Sequence, residues 1–387
     1  MRYKLSEICE YVKEKIEVSK LNKKIYISTE NMLPNRGGVT LASSLPTVNQ
    51  TQSFKREDVL ISNIRPYFKK IWHANFEGGC SNDVLVMRAK EGIDTRFLYY
   101  VLSNDDFFDY SMSTSKGTKM PRGDKKALME YEVPQFKYEE QIKMASMLSK
   151  LDDKIQLNNN INKNLFQEIT VLYNNFISLD WSISTIQDVA KKIAMGPFGS
   201  NIKVSTFVSE GIPIISGNHL RGYFLEESTF NYITNKHAEC LKNSIVYPND
   251  LVFTHAGNIG QVAMIPDKCK YDYYVLSQRQ FYLRCDKSKV IPELLLLFFH
   301  SVIGQYELLS YANQTGVPSI AQPATNLKKI AFKCPPINEQ IKWYQKIKPM
   351  MDLYINNRIE NERLSVLRDT LLPKLISGEI DVSNIDL

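Results

Sequence analysis

The chain has 387 residues, of which 43% are hydrophobic and 23% charged, and its formal net charge is +6. This composition excludes a disordered chain and is typical of two or three globular domains. The mild positive charge permits a polyanionic partner without requiring one. The longest apolar run, Leu294–Phe299, is too short to cross a bilayer, and the first residues lack the apolar segment of a secretory signal. The sequence therefore predicts a cytoplasmic protein with no membrane association.

The first half of the chain combines short strands with one helix. Runs rich in β-branched residues predict strands at Val59–Ile64 and Val84–Arg88. An apolar periodicity predicts a helix over Arg96–Phe108, which a polar, glycine-containing loop follows at Ser113–Lys126. A further strand leads into Val133-Pro134.

A long amphipathic helix is predicted from Tyr138 to Ile177. Its apolar residues follow alternating steps of three and four, as on one face of a helix. Two positions of this face, Asn158 and Asn162, carry amides instead of leucines. An asparagine at such a position costs stability but fixes helix register and pairing, whereas on a loosely packed helix it would simply be solvated.

The second half repeats this order of elements. A long helix again closes it, where Pro349 and Pro373 are each expected to kink or stop the helix and Gly378 is a plausible end. The predicted strands are Leu251–Thr254, Val262–Ile265, Gln280–Arg284 and Phe332–Pro336, with a helix over Glu293–Leu308 and a loop over Asn313–Asn326.

The repeat can be followed residue by residue. Adding 199 converts Asn158 into Asn357 and Asn162 into Asn361. The same shift converts Glu140-Gln141-Ile142 into Glu339-Gln340-Ile341. A period of half the chain indicates two globular halves, each followed by a long helix. We predict an α+β fold with boundaries at 1–137, 138–178, 179–337 and 338–387, and we interpret the four asparagines as setting the register between the two helices.

A search for catalytic motifs finds none. The sequence contains no phosphate-binding GxxxxGK[ST] loop, no HExxH pair and no CxxC pair among its six cysteines. We therefore predict no catalytic residue, no metal site and no cofactor in this chain.

Two segments of the first half favour contact with nucleic acid. The loop TSKGTKMPRGDKK, residues 114–126, and the segment SNIRPYFKK, residues 62–70, concentrate basic side chains among hydroxyl and aromatic residues. Lysine and arginine neutralise phosphates, although an isolated run of this kind is more often a solvated loop. The predicted DNA-binding residues of the first half are Arg65, Lys69, Lys70, Lys116, Lys119 and Arg122.

The second half offers amides more than cations in its loops. Asparagine and glutamine can read adenine edges through two hydrogen bonds, and glycine permits close approach, although each segment alone could be turn chemistry. The predicted DNA-binding residues here are Ser200, Asn201, Asn218, Arg221, His255, Asn258, Gln278, Arg279, Gln314, Thr315, Ser319 and Gln322.

The whole chain resembles the specificity subunit of a type I restriction–modification system. The doubled Pro…Glu-Gln-Ile motif and the tail LLPKLISGEI (371–380) carry the resemblance. So do DVLISNIRPYFKKIW (58–72), GGCSNDVLV (78–86), GPFGSN (196–201) and DLVFTHAGNIGQVAMIP (250–266). Because the first half lacks an early GPFGSN-like segment, the two halves are expected to belong to different recognition types.

The resemblance implies a non-catalytic scaffold that binds double-stranded DNA. Residues 1–137 and 179–337 would be target-recognition domains, and the helices of 138–178 and 338–387 would be spacers packed as an antiparallel coiled coil. The implied partners are two methyltransferase subunits, which hold S-adenosylmethionine, and restriction endonuclease/translocase subunits, which use ATP and magnesium. The implied DNA target has two parts and is asymmetric.

Two alternatives remain open from the sequence. The chain could serve a related type IIB-like system, in which one partner both methylates and cuts. It could also be a doubled coiled-coil adaptor that binds only proteins. DNA binding with a steep salt dependence would distinguish the adaptor from both DNA-reading alternatives.

Overall fold

A computed structural model describes residues 2–117, 119–227, 229–313, 316–383 and 385. Helices and strands alternate along the chain, so the fold is α+β, as predicted. The chain forms two compact units: the first is Met1–Asn158 with Ile359–Leu387, and the second is Asn159–Arg358. The division falls inside the two long helices, so each helix begins in one unit and ends in the other.

The first unit is built on two four-stranded sheets. The predicted strands are present, with ends shifted by a few residues. In spatial order, the first sheet contains Cys9–Tyr11, Val84–Ala89, Val59–Ser62 and Ile71–His73, and the second contains Lys15–Glu17, Gln50–Phe54, Gly78–Cys80 and Tyr26–Ile27. A separate antiparallel pair joins Arg2–Lys4 to Glu132–Pro134.

The second unit repeats this plan. In spatial order, one sheet contains Ala190–Met195, Gln280–Cys285, Leu251–Thr254 and Val262–Met264, and the other contains Asn231–Ile233, Ile212–Ile215, Tyr274–Leu276 and Ile245–Val246. Two antiparallel pairs join Ile183–Thr185 to Ala331–Lys333 and Ala312–Asn313 to Ser319–Ile320.

Short helices cover the sheets of each unit. In the first unit they are Leu5–Ile8, Thr95–Ser103, Asp105–Ser113 and Lys125–Leu128, with 3₁₀ turns at Val18–Lys20 and Pro66–Phe68. In the second they are Ile186–Val189, Asn235–Cys240, Pro292–His300, Val302–Leu309 and Pro323–Lys329, with 3₁₀ turns at Gly199–Asn201, Val204–Thr206, Gly217–His219 and Lys242–Ser244.

The single helix predicted after the central strands of each half is wrong, because two helices stand there. Asn104, with ψ 144°, interrupts the first pair, and Ser301, with ψ 161°, interrupts the second. Asparagine and serine favour such extended helix-capping positions. Ser301 Oγ accepts a hydrogen bond from the Gly304 amide, so the side chain begins the second helix of its pair. Apolar periodicity continues across both breaks, which is why it did not reveal them.

The two long helices are Tyr138–Ile177 and Ile337–Ile376. The first has the predicted bounds, but the expectation that Pro349 or Pro373 stops the second helix is wrong. Both prolines are exposed, so water can reach the carbonyls that lose a donor. Apolar residues on either side are buried and hold the backbone in place: Ile347 and Met351 around the first proline, Leu372 and Leu375 around the second.

Segments of both long helices pack antiparallel within each unit. In the first unit, Arg368 donates to Asp152 at 2.8 Å and Lys154 lies 3.3 Å from Glu360, so residue numbers rise on one helix as they fall on the other. In the second unit, Phe166 contacts Tyr354 with ring centroids 4.6 Å apart, and Phe176 stacks on Trp343 at 5.3 Å.

Both units bury the ends of these helices in their main cores. Leu148, Leu372 and Ile376 belong to the core of the first unit, so the LLPKLISGEI tail folds with the first half of the sequence. Ile169, Trp343 and Ile347 belong to the core of the second. No helix among the described residues is long and apolar enough to cross a membrane.

Candidate nucleic-acid interface

A buried ion pair occupies the same place in each unit. Arg88 donates to both carboxylate oxygens of Asp58, at 2.7 and 2.8 Å, and Arg284 does the same to Asp250, at 2.8 and 2.6 Å. Each carboxylate side chain is only 2% exposed. Burial raises the pKa of Asp250 even though Arg284 opposes that effect. The pair joins the start of one central strand to its neighbour and fixes the sheet whose far end carries the candidate site.

The glutamine of each Glu-Gln-Ile motif attaches a long helix to the globular part of its own unit. Gln141 accepts from the Asp94 amide at 3.0 Å and donates to the Phe136 carbonyl at 3.1 Å. Gln340 accepts from the Ile291 amide at 2.9 Å and donates to the Pro335 carbonyl at 2.7 Å. Both side chains are almost fully buried. The repeated motif therefore has a structural reason: each amide satisfies backbone groups where two helices begin.

In the first unit, the two predicted DNA-binding segments lie side by side. We call this the cationic surface, residues 62–69, 114–117 and 119–124. The Arg65 amide donates to the Pro121 carbonyl at 2.8 Å, and the Gly123 amide donates to the Asn63 carbonyl at 3.3 Å. A bridge also joins Ile64 to Arg122. Segments separated by about fifty positions in the sequence thus form one continuous surface at the end of the central strand.

The cations of this surface differ in their partners. Lys116 pairs with Asp124 at 2.6 Å, and Arg122 pairs with Asp83 at 3.1 Å. The Lys116 hydrogen bond, helped by two backbone amides, lowers the pKa of Asp124 to about 2. Arg65 and Lys119 are exposed and form no ion pair with other described residues. The ion pairs of Lys116 and Arg122 are exposed and therefore weak, so phosphates can replace the aspartates as partners of these two cations.

Lys69 and Lys70 are engaged within the unit. Lys69 pairs with Asp105 at 2.7 Å, and the Lys70 ammonium donates to the Thr29 carbonyl at 2.6 Å. Partial burial lowers the pKa of Lys70. Their DNA-binding role stays a prediction, but the geometry assigns both lysines to holding loops together.

In the second unit, the equivalent loops also converge. We call this the amide surface, residues 196–203, 254–260, 277–280 and 316–322. The Ile320 amide donates to the His255 carbonyl at 2.8 Å, and the His255 amide donates to the Arg279 carbonyl at 3.0 Å. The Gly196 amide donates to the Gln280 carbonyl at 2.7 Å. A bridge between Ala256 and Ser319 repeats the one that joins Ile64 to Arg122.

Exposed side chains of the amide surface are mostly neutral. Asn258, Gln278, Arg279 and Gln322 are exposed, and Ser319 is half-buried. The ring of His255 lies 3.2 Å from the Gln278 carbonyl through Nε2. Burial lowers the pKa of His255, so this ring is neutral at neutral pH and offers hydrogen bonds instead of charge.

The other predicted residues of the second half lie in the first segment of this surface or outside its four segments. A Cβ added at Gly199 would lie 2.4 Å from Gln278 Oε1, so the turn that holds Ser200 and Asn201 packs against the segment 277–280 of the same surface. Arg221 donates to Asn218 at 3.4 Å, and both are exposed. Gln314 and Thr315 lie outside the described residues.

A glycine in left-handed conformation marks the same turn in both units. Gly117 has φ +92° and Gly316 has φ +82°. A side chain would strain either position, since residues other than glycine rarely adopt these angles. The turn in each unit belongs to a hairpin, closed by Lys116 and Arg122 in the first unit and by Asn313 and Ser319 in the second.

The four asparagines of the long helices form two pairs, one in each unit. In the first unit, Asn158 Nδ2 donates to Asn361 Oδ1 at 2.9 Å and to Glu360 at 2.7 Å. In the second, Asn357 Nδ2 donates to Asn162 Oδ1 at 2.9 Å. Asn158, Asn162 and Asn357 are buried. A slipped register would leave buried amides without these partners.

Sequence reasoning missed several residues that shape the site. Asp83, Asp105 and Asp124 hold cations of the cationic surface, and no local motif distinguishes them from other surface acids. The ion pairs of Asp58 and Asp250 could have been found, because both aspartates and their arginines occur at matching positions of the repeat. Among the described residues, no group of three or more His, Cys, Asp or Glu side chains could hold a metal ion.

Comparison with known proteins agrees with this doubled plan. The family described as "Type I restriction modification DNA specificity domain" matches residues 1–167 and again residues 178–367. The MjaIX type I restriction enzyme specificity subunit of Methanocaldococcus jannaschii is 24% identical over 330 residues, which cover 76% of this chain and 71% of the relative. The MjaVIII specificity subunit of the same organism is 23% identical over 331 residues, covering 80% and 76%.

A solved structure shares the fold. It is the crystal structure of the type I restriction-modification system S subunit from M. genitalium, with a TM-score of 0.57 at 14% identity. The superposition covers 99% of this chain and 96% of that one. Since the family match spans both halves of the sequence, the chain belongs to the type I restriction-modification DNA specificity family.

Proposed function

We propose that this chain is a sequence-specific DNA-binding subunit that recognises a two-part asymmetric target and directs partner methyltransferase and restriction subunits to it. Support comes from the doubled family match and from relatives named as specificity subunits of type I restriction enzymes.

One observation carries the proposal. Both units place a strand end against a glycine-turn hairpin in the same way, yet the exposed side chains there are mostly cationic in the first unit and mostly neutral in the second. A repeated frame with different surface chemistry is what reading two different half-targets requires. Cations such as Lys119 and Arg122 suit phosphates, and amides such as Gln278 and Gln322 suit base edges.

In this proposal the chain performs no chemistry itself. S-adenosylmethionine is held by the methyltransferase subunits, two of which bind the chain, and ATP and magnesium by the restriction subunits. The purified chain should neither bind S-adenosylmethionine nor methylate DNA, and methyl transfer should appear once the methyltransferase subunit is added. Isothermal titration with the cofactor and a tritium-transfer assay check both statements, and methylation by the chain alone would contradict them.

The long helices would set the gap between the two half-targets. Each helix begins in one unit and ends in the other, and the hydrogen-bonded asparagine pairs would fix the register of one helix against the other. Inserting a matched heptad into both helices between the asparagine pairs keeps the packed face and adds about 10 Å, near three base-pair steps. The methylated motif should keep its bases while its gap widens. An unchanged gap would contradict a spacer role.

Methylome sequencing tests the proposal in the host. With the gene present, we expect a two-part motif with methylated adenines separated by undefined bases, and deletion of the gene should abolish it. The wild-type gene should restore the motif, whereas Lys116→Ala/Lys119→Ala/Arg122→Ala should not. Lys90→Ala is a matched control, because Lys90 follows the opposite end of the strand Val84–Ala89. Persistence of the motif without the gene would overturn the proposal.

A further inference from the structure

The cationic surface carries an exposed aromatic pair on an unusual turn. Pro66–Phe68 forms a 3₁₀ turn, and the residues on both sides, Arg65 with φ 51° and Lys69 with φ 50°, are left-handed. Residues other than glycine adopt this conformation at a cost and keep it only where the surroundings impose it. Between them, the Tyr67 and Phe68 rings contact each other with centroids 4.6 Å apart.

Two neighbouring segments hold this turn in place. The Asn35 amide donates to the Phe68 carbonyl at 2.8 Å, and the Arg36 amide donates to the Lys69 carbonyl at 2.9 Å. Asn35 and Arg36 are themselves left-handed, with φ of 53° and 61°. Asp105 pairs with both Arg36 and Lys69 and so joins the turn to a helix. The aromatic pair therefore stands on a rigid support.

The apolar surface of the pair faces solvent beside positive charge. Tyr67 is 47% exposed and Phe68 is 38% exposed, and Met120 of the adjoining loop is 49% exposed. Arg65 precedes the turn, and its amide joins the loop that carries Lys119 and Arg122. Burying such side chains inside the unit would be favourable, so their exposure at a cationic site points to a partner that is both anionic and aromatic.

The second unit has a counterpart of different construction. Phe198 is 84% exposed in the GPFGSN segment, and the next residue, Gly199, lies against Gln278. Each unit thus presents a large aromatic group next to its candidate DNA surface.

We propose that Tyr67 and Phe68 in the first unit, and Phe198 in the second, insert between or stack on DNA bases and unstack a base-pair step within each half-target. This inference rests on the proposed function and adds the mode of contact. Apolar side chains that wedge between base steps kink the duplex, and the cost depends on the step being unstacked. The aromatic groups would therefore contribute specificity without a hydrogen bond to any base edge.

Insertion would also assist the proposed partner. An enzyme that modifies a base inside a duplex must extrude it, and the energy of unstacking is part of that cost. A step already opened by this chain lowers the remaining cost for a methyltransferase subunit.

The test uses the full chain and a duplex that carries the mapped motif, with 2-aminopurine replacing one adenine at a time. Binding of the wild-type chain should raise aminopurine fluorescence at one position or more in each half-target. Tyr67→Ala/Phe68→Ala should abolish the rise in one half-target and weaken binding roughly tenfold to a hundredfold. The salt dependence of binding should not change, because no phosphate contact is lost. Phe198→Ala should abolish the rise in the other half-target only.

Tyr67→Phe should behave as wild type, since it keeps the stacking surface. Tyr306→Ala is the matched control, being a 72% exposed tyrosine on a helix of the second unit. Wild-type hydrogen exchange of peptides from the mutated unit shows that each variant is folded. Wild-type affinity of the double alanine variant, or reduced affinity with an unchanged fluorescence pattern, would overturn the inference. So would loss of methyltransferase binding with DNA binding intact. If the wild-type chain bound no DNA, alone or with its methyltransferase partner, the proposed function itself would fail.

Discussion

The cationic surface and the amide surface occupy equivalent places on equivalent frames, yet they share almost no side-chain chemistry. In the first unit, Lys116, Lys119 and Arg122 lie on a loop that adjoins an aromatic turn. In the second, Asn258, Gln278 and Gln322 lie on the loops that converge near a neutral histidine. The frame beneath is the same: a buried arginine–aspartate pair, a buried glutamine and a left-handed glycine. The shared frame and the two different surfaces are therefore built from separate sets of residues.

The largest effect is expected from breaking the shared frame. Arg88→Met or Arg284→Met leaves a buried carboxylate without its partner, which typically costs about 3–5 kcal/mol. Each variant should destabilise its own unit, as measured by hydrogen exchange of peptides from the two units. Glu14→Gln is the control, because Glu14 pairs with Arg88 but is 48% exposed, so the substitution should change the free energy of unfolding little. Equal loss of protection in both units would show that the frames are not independent.

The buried glutamines of the two units should contribute different amounts to the free energy of unfolding. Gln340 Nε2 donates to the Lys289 and Pro335 carbonyls, whereas Gln141 Nε2 donates to one carbonyl. Unpaired buried backbone groups cost about 1–3 kcal/mol, so Gln340→Ala should lower the free energy of unfolding more than Gln141→Ala. Urea denaturation monitored separately for each unit makes the comparison. The reverse ranking would show that the hydrogen-bond count does not govern stability here.

Replacing one asparagine of a pair should destabilise the protein more than replacing both. Asn357→Leu leaves Asn162 without its side-chain donor and should cost roughly 1–3 kcal/mol. Replacing both with leucine should recover most of that loss, because two apolar side chains fill the same face of the helices. Thermal denaturation of the single and double variants measures this, and additive losses would contradict a paired role. The same substitutions at Asn158 and Asn361 should lower the free energy of unfolding less, because Asn158 also donates a hydrogen bond to Glu360.

The smallest expected effect is the loss of stability of each unit as the pH is lowered. In the second unit, burial lowers the pKa of three histidines, His219, His255 and His300. In the first unit, burial lowers the pKa of one histidine, His73. Below about 6.5, the unfolded chain therefore binds more protons than the folded one. The free energy of unfolding should fall as pH decreases from that value, and more for the second unit.

Pulse proteolysis in urea at pH values on either side of that pKa, with cleavage sites assigned to each unit, measures the acid effect. His300→Gln should reduce it, since a glutamine can still donate to the Val262 carbonyl, which the His300 ring contacts at 2.8 Å. Equal acid sensitivity of both units would contradict this prediction.

The sequence predicted the repeat, the first long helix and the central strands because apolar periodicity and the repeat are local or linear signals. It failed at Asn104 and Ser301, where one residue with an extended backbone divides the helix although the apolar pattern continues. Pro349 and Pro373 do not stop the second helix as the sequence allowed, because buried neighbours outweigh the loss of one amide donor. The engagement of Lys69 by Asp105 could not be predicted, because it depends on a contact between residues far apart in sequence.

If one frame carries two surfaces with different modes of DNA contact, the salt dependence of DNA binding should differ between variants of the two surfaces. Lys119→Ala/Arg122→Ala should lower the slope of log affinity against log salt by about two, while the bases preferred stay the same. Gln278→Ala/Gln322→Ala should leave the slope unchanged and relax preference at particular bases by about 1–3 kcal/mol. Lys90→Ala and Lys287→Ala, beyond the opposite ends of the corresponding strands, should change neither quantity. An unchanged slope in the first variant, or a reduced slope in the second, would contradict the claim.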